Sequence, residues 1–179
     1  MKLHFIRQAE AVDRSATFPD DCRYLSCRGR TRFRRVADTL KKCGIDPEII
    51  ISSPLVRAVQ TAEIVAESIR FSGELIILPI LGESFTLLHL REYLQGRGSV
   101  REVVIVGHEP DLGLVAGELL GLSPCTIKKG GVVSLKVKFH EPETVTQFLW
   151  MVTGGGKLIT DHDMAVARLV GDKDQPTEG

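Results

Sequence analysis

Apolar positions along the chain recur with two alternating periods, and that alternation predicts the elements. Leu3, Phe5 and Ile6 form a short apolar strand that gives way at once to the polar cluster Arg7-Gln8-Ala9-Glu10. A polar loop follows over residues 13–26. Phe33, Val36, Ala37, Leu40 and Cys43 then recur at helical spacing and predict a helix from Arg28 to Lys42, with arginines on its other face and Gly44 as its stop. Glu48 to Ile51 reads as a β-branched strand. Leu55, Ala58, Val59, Ala62, Val65, Ala66 and Ile69 mark the buried stripe of the next helix, which Ser53 and Pro54 are expected to open as capping hydroxyl and first-turn proline. Glu74 to Leu78 is a further strand, closed by Pro79, and Leu87 to Leu94 a further amphipathic helix.

The near-continuous apolar run Val100 to Val106 suits a central parallel strand covered on both faces. Gly107-His108-Glu109-Pro110 breaks it, and a helix from Asp111 to Leu120 follows, with Gly113, Gly117 and Gly121 spaced to let it pack closely on the sheet. Val132 to Phe139 and Thr144 to Val152 predict a hairpin joined by His140-Glu141-Pro142-Glu143, and Asp161 to Leu169 a last short helix. Strands and helices in this order predict an α/β protein: a three-layer α/β/α arrangement, mostly parallel, with an antiparallel edge. One domain over residues 1–170 and a frayed polar tail over 171–179 are expected.

Charge and composition narrow the function classes. Lys plus Arg equals Asp plus Glu at 23 each, so no electrostatic footprint for nucleic acid or an anionic membrane is visible. No apolar run approaches the roughly 20 residues of a membrane span, and the N-terminus lacks a signal-peptide core, which places the chain in the cytoplasm. Cys22, Cys27, Cys43 and Cys125 are expected as reduced thiols, and Cys22-x4-Cys27 lacks zinc-ribbon spacing, so neither metal nor cofactor is expected. Gly154-Gly155-Gly156-Lys157 has Leu158 where a phosphate loop needs a hydroxyl, and is read as a flexible turn.

The remaining chemistry falls just past strand ends, where open α/β sheets bind ligands. Arg7 follows the first strand, Arg57 the second and His108 the central one. Arg57 stands in the first turn of its helix, where the dipole already favours an anion, so an anionic ligand is its expected partner. Two converging guanidinium groups suit a tetrahedral dianion, and an imidazole beside them can donate a further hydrogen bond.

These residues resemble the histidine phosphatase superfamily. Arg7-Gln8-Ala9-Glu10 looks like that family's Arg-His-Gly signature. Leu25-Ser26-x-x-Gly29-Arg30, Ser52-Ser53-Pro54-x-x-Arg57-Ala58-x-Gln60-Thr61-Ala62 and Val106-Gly107-His108-Glu109-Pro110 follow in the family's order, so that the match extends over about Met1 to Leu122. Short length and the hairpin resemble the small SixA-type branch, the phosphohistidine phosphatases. The resemblance implies a phosphoglycerate mutase-like fold and hydrolysis of phosphohistidine on a phosphotransfer protein, or of a small phosphate ester. It implies a pocket for phosphate or sulfate built from Arg7, Arg57 and His108, with Arg23 near its rim.

It also exposes a departure. Gln8 stands where the family has its nucleophilic histidine, and a carboxamide nitrogen, delocalised into its carbonyl, is a very poor nucleophile. Turnover is expected to be absent or severely reduced, with a non-catalytic phosphate-binding module as the alternative. Whether Gln8 is an introduced change, a natural one, or one offset by other chemistry stays open at this level. Glu10 and Glu83 are the candidate general acids, and a P–N bond needs little help from either.

Overall fold

The computed structural model describes residues 1–139 and 144–171. The chain runs β1 (Lys2–Arg7), α1 (Cys27–Lys42), β2 (Ile49–Ser52), α2 (Val56–Ile69), β3 (Glu74–Ile77), a 3₁₀ turn (Pro79–Gly82), α3 (Leu87–Gln95), β4 (Glu102–Gly107), α4 (Asp111–Leu120), β5 (Val132–Phe139), β6 (Thr144–Val152), β7 (Leu158–Ile159) and α5 (His162–Val170). One seven-stranded sheet has the order β3-β2-β4-β1-β5-β6-β7. The four strands from β3 to β1 are parallel, and each of the last three is antiparallel to its neighbour. The expected three layers are present, and the antiparallel margin extends to three strands.

Strand alternation decides which helices cover which face. Leu3, Phe5, Ile51, Val103 and Ile105 share a core with α3, α4 and α5. Ile6, Ile50, Val104 and Val106 point the other way, into a core with Phe33, Val36 and Leu40 of α1 and Ala58, Ala62 and Val65 of α2. All six residues of β4 are buried, as a strand covered on both faces should be.

Two expectations need correction. Ser53 does not cap α2, which begins at Val56 with Leu55 as an N-cap that lacks a side-chain bond; the Ser53 hydroxyl is drawn into the site instead. Gly113 and Gly117 serve close approach to the segment after their own helix rather than to the sheet: an added Cβ would stand 2.3 Å from the Cys125 carbonyl oxygen and 2.6 Å from that of Leu122. Residues 154–156 form a tight turn, with Gly156 N–H donating to the Thr153 carbonyl at 2.8 Å, and lead into β7, too short to show as a periodic pattern. The hairpin turn 140–143 and the tail 172–179 lie outside the described residues. Among those residues no helix is long and apolar enough to cross a membrane, and all four cysteines are free.

The polar segment after β1 is fixed by α1. Ser26, the N-cap, accepts from Gly29 N–H at 2.9 Å, while its own N–H donates to the Glu10 carbonyl at 3.0 Å. Gly29 is what lets α1 come so near, because a Cβ there would stand 2.0 Å from the same carbonyl oxygen. Gly29→Ala is expected to destabilise the fold by about 2 kcal/mol or more, read as a drop in the urea midpoint against wild type.

Candidate functional site

Register builds the site. β4 lies between β2 and β1, with Ser52 paired to Val106 and Arg7 to Gly107. Just beyond, Gln8 and His108 emerge side by side at the carboxyl ends of β1 and β4, while Ser53, following β2, falls level with Gly107, one residue before His108. His108 bridges the other two: its Nδ1 is 2.9 Å from Gln8 Oε1 and its Nε2 is 2.7 Å from Ser53 Oγ. Assigned from this network, Nδ1–H donates to the Gln8 carbonyl, which can only accept, and Nε2 accepts from the Ser53 hydroxyl. Ser53 Oγ in turn accepts from Leu55 N–H at 3.3 Å.

The imidazole is neutral. Burial first, then the Arg57 and Arg7 charges, lower its pKa to about 4, against opposing effects of Asp111 and Asp20. Glu109, the next residue, is shifted the other way: burial raises its carboxyl to about 7, although Ile127 N–H donates to it at 3.1 Å.

Arg57 is only 6% exposed, and what satisfies it is the chain's own loop. Nη1 donates to the Asp20 carbonyl at 2.6 Å and Nη2 to the Asp20 carboxylate at 3.0 Å. The same carboxylate accepts from Arg14 Nε at 2.9 Å and Arg23 Nε at 3.0 Å. Three guanidinium groups thus share one carboxylate, and the region stays strongly positive. The negative charge beside Arg57 in this structure is the protein's own, from Asp20. Desolvation pushes the Asp20 carboxyl up, yet Arg57, Arg14 and Arg23 together hold it below its usual value. Burial lowers the Arg57 pKa and Asp20 opposes the shift; the group stays charged.

A cavity of about 380 Å³ opens on this cluster, lined by Arg7, Gln8, Arg14, Arg23, Arg57 and His108, with Glu109 and Lys129 at its sides. Arg7 also donates from Nη1 to the Ile127 carbonyl at 2.9 Å. The spaced residues of α2 hold the walls: Thr61 Oγ1 accepts from Ala9 N–H at 3.1 Å and Gln60 Oε1 from Leu25 N–H at 2.8 Å. Of the residues singled out in the sequence, Arg7, Gln8, Arg23, Arg57 and His108 meet here. Glu10 lines a neighbouring groove and Glu83 is exposed beyond the 3₁₀ turn. Asp20, Arg14 and Lys129 gave no periodic or spacing signal, since each lies in a loop; Glu109 could have been suspected from its place beside His108. Among the described residues, no cluster of His, Cys, Asp and Glu is arranged to hold a metal.

Comparison with known proteins bears on the family and the fold. Residues 7–89 match the profile of the histidine phosphatase superfamily, branch 1. The chain is 34% identical to an uncharacterised protein of Picosynechococcus sp. over 146 residues, covering 76% of this chain and 85% of that protein. It is 28% identical to the phosphohistidine phosphatase SixA of Escherichia coli over 121 residues, covering 66% and 74%. The structure of the protein histidine phosphatase SixA complexed with tungstate superposes with a TM-score of 0.75 at 24% identity, over 86% of this chain and 97% of that one.

The two perturbed groups give opposite pH dependences of stability. Keeping His108 neutral costs stability as the pH falls from 6.5 towards 4, whereas keeping Glu109 protonated costs stability as it rises from 4.5 through 7. Wild type should show a shallow profile across that window. Glu109→Gln removes one of the two opposing slopes, so its urea midpoint should fall steadily on acidification from pH 6.5 to 4; a profile as shallow as wild type would contradict the assignment.

Proposed function

Because the chain belongs to the histidine phosphatase superfamily and is SixA-like in fold, we propose that it binds a phosphoryl group between Arg7, Gln8, Arg57 and His108. The group is that of a phosphohistidine on a cytoplasmic signalling protein, and hydrolysis is absent or severely reduced. The relatives named for phosphohistidine phosphatase activity, and the tungstate carried by one of them, support a tetrahedral oxyanion as the ligand.

The observation that carries the reading is the Gln8–His108 contact. Phosphoryl transfer to the protein would need a nucleophile in line with the P–N bond. The Gln8 nitrogen has no available lone pair, and its oxygen already accepts from the imidazole. What the amide retains is its NH2 group, a neutral donor that can join the charge-assisted donors Arg7 and Arg57 in holding phosphoryl oxygens. His108 cannot take over as nucleophile while both ring nitrogens serve Gln8 and Ser53. Arg57 must release or share Asp20 to reach the oxyanion, so Asp20 competes with the ligand for the same guanidinium. Arg23 stands at the rim through its own bond to Asp20. Glu10 and Glu83 contribute little as acids, since imidazole is a leaving group that departs from phosphorus readily.

Two measurements test this. Arg57→Ala should abolish inorganic phosphate binding in calorimetry, and undiminished binding would move the site elsewhere. A phosphorylated phosphotransfer domain should be left intact by wild type and dephosphorylated by Gln8→His. Rapid turnover by wild type would refute the reading, and a Gln8→His variant that binds but stays inactive would favour a dedicated binding module over a disabled phosphatase.

A further inference from the structure

A second and larger cavity, about 700 Å³, opens beside the first and shares Arg7, Ala9 and Lys129 with it. Its other wall brings together Arg32 of α1, Lys128 and the turn Gly154-Gly155. Close approach forms this groove: a Cβ on Gly154 would stand 2.2 Å from the Lys129 carbonyl oxygen, so only glycine lets the turn rest against that loop. Gly155, by contrast, faces open space apart from Thr153 Oγ1 at 3.8 Å. The lining holds four cations, Arg7, Arg32, Lys128 and Lys129, against the single carboxylate of Glu10. That carboxylate is only loosely engaged, 3.7 Å from Arg28 and 3.8 Å from Arg32. A chain with equal numbers of acidic and basic residues has concentrated positive charge at one place next to its phosphate pocket.

We propose that this groove is a second anion subsite, which receives an acidic side chain of the phosphoprotein segment flanking the phosphohistidine. The inference rests on the phosphate pocket described above and extends it to the partner's surface. Positive charge continues past the groove along α1 to Arg28, whose side chain is 72% exposed. A small ligand confined to the cavity would leave that extension unused, whereas an acidic protein surface would meet it. Exposed complementary charge of this kind speeds encounter and selects among partners.

The test uses two peptides bearing a non-hydrolysable phosphohistidine analogue, one flanked by Asp and Glu and the other by Asn and Gln, with inorganic phosphate as control. Wild type should bind the acidic peptide about tenfold more tightly, with the preference declining as salt is raised. Arg32→Ala removes a groove cation at an exposed helical position, and Gly155→Asp adds a carboxylate where a Cβ meets only an ordinary contact. Both should bring the two peptides to near parity and leave inorganic phosphate binding unchanged. Equal affinity of wild type for both peptides would overturn the proposal, as would variants that weaken both alike. A small bisphosphonate that binds with Arg32 dependence while the acidic peptide shows none would assign the groove to a small ligand and equally overturn it. Failure of wild type to bind phosphate or either peptide would instead defeat the phosphate-pocket reading itself.

Discussion

The parallel register of β2, β4 and β1 is the constraint on which the rest depends. Because Ser52 lies opposite Val106 and Arg7 opposite Gly107, β2 ends one residue short of β4 and β1, and the His108 imidazole spans from Gln8 beside it to Ser53 on its other side. An imidazole between a hydroxyl and a carboxamide, each in hydrogen-bond reach, has its tautomer and its orientation fixed from both sides. Buried there among guanidinium groups, it remains neutral in the physiological range. Slipping any of the three strands by one residue would turn the corresponding side chain to the opposite face of the sheet.

Around this imidazole the structure handles an excess of positive charge with a minimum of negative charge. Arg57 is buried and would be costly to leave unpaired, and residue 20 supplies both a carbonyl and a carboxylate to it. Because the same carboxylate also serves Arg14 and Arg23, the cluster is stable as a protein yet remains attractive to an oxyanion. In the proposed function, stability and phosphoryl binding draw on the same charges, with Asp20 between them.

In the proposed function, membership of a phosphatase superfamily and the capacity for phosphatase chemistry separate at one position. The fold, the arginines and His108 depend on register and packing, which Gln8 leaves intact because its amide occupies a hydrogen-bonding position beside the imidazole. Covalent chemistry depends on a lone pair that Gln8 lacks. A single side chain can therefore convert a site suited to transferring a phosphoryl group into one suited to holding it, with no consequence for the sheet beneath.

Much of this was legible in the residues. The short apolar stretch of β1 and the near-continuous apolar run of β4 identified strands, the stripe of α2 identified a helix, and Arg7, Arg57 and His108 fell at strand ends, because these patterns are local and follow from the repeat of a single element. Gln8 was conspicuous only through the resemblance to the family's Arg-His-Gly signature. The partners of those residues were not legible. That Ser53 turns from the helix it precedes to His108, that Asp20 reaches Arg57 across 37 positions of sequence, and that Gly113 and Gly117 meet the segment after α4 are facts of long-range packing. Local period contains no record of which loop folds over which strand end. Burial is decided likewise: the carboxyl of Glu109 differs from that of Glu83 only in what the finished fold places around it, and only the tertiary structure supplies that surrounding.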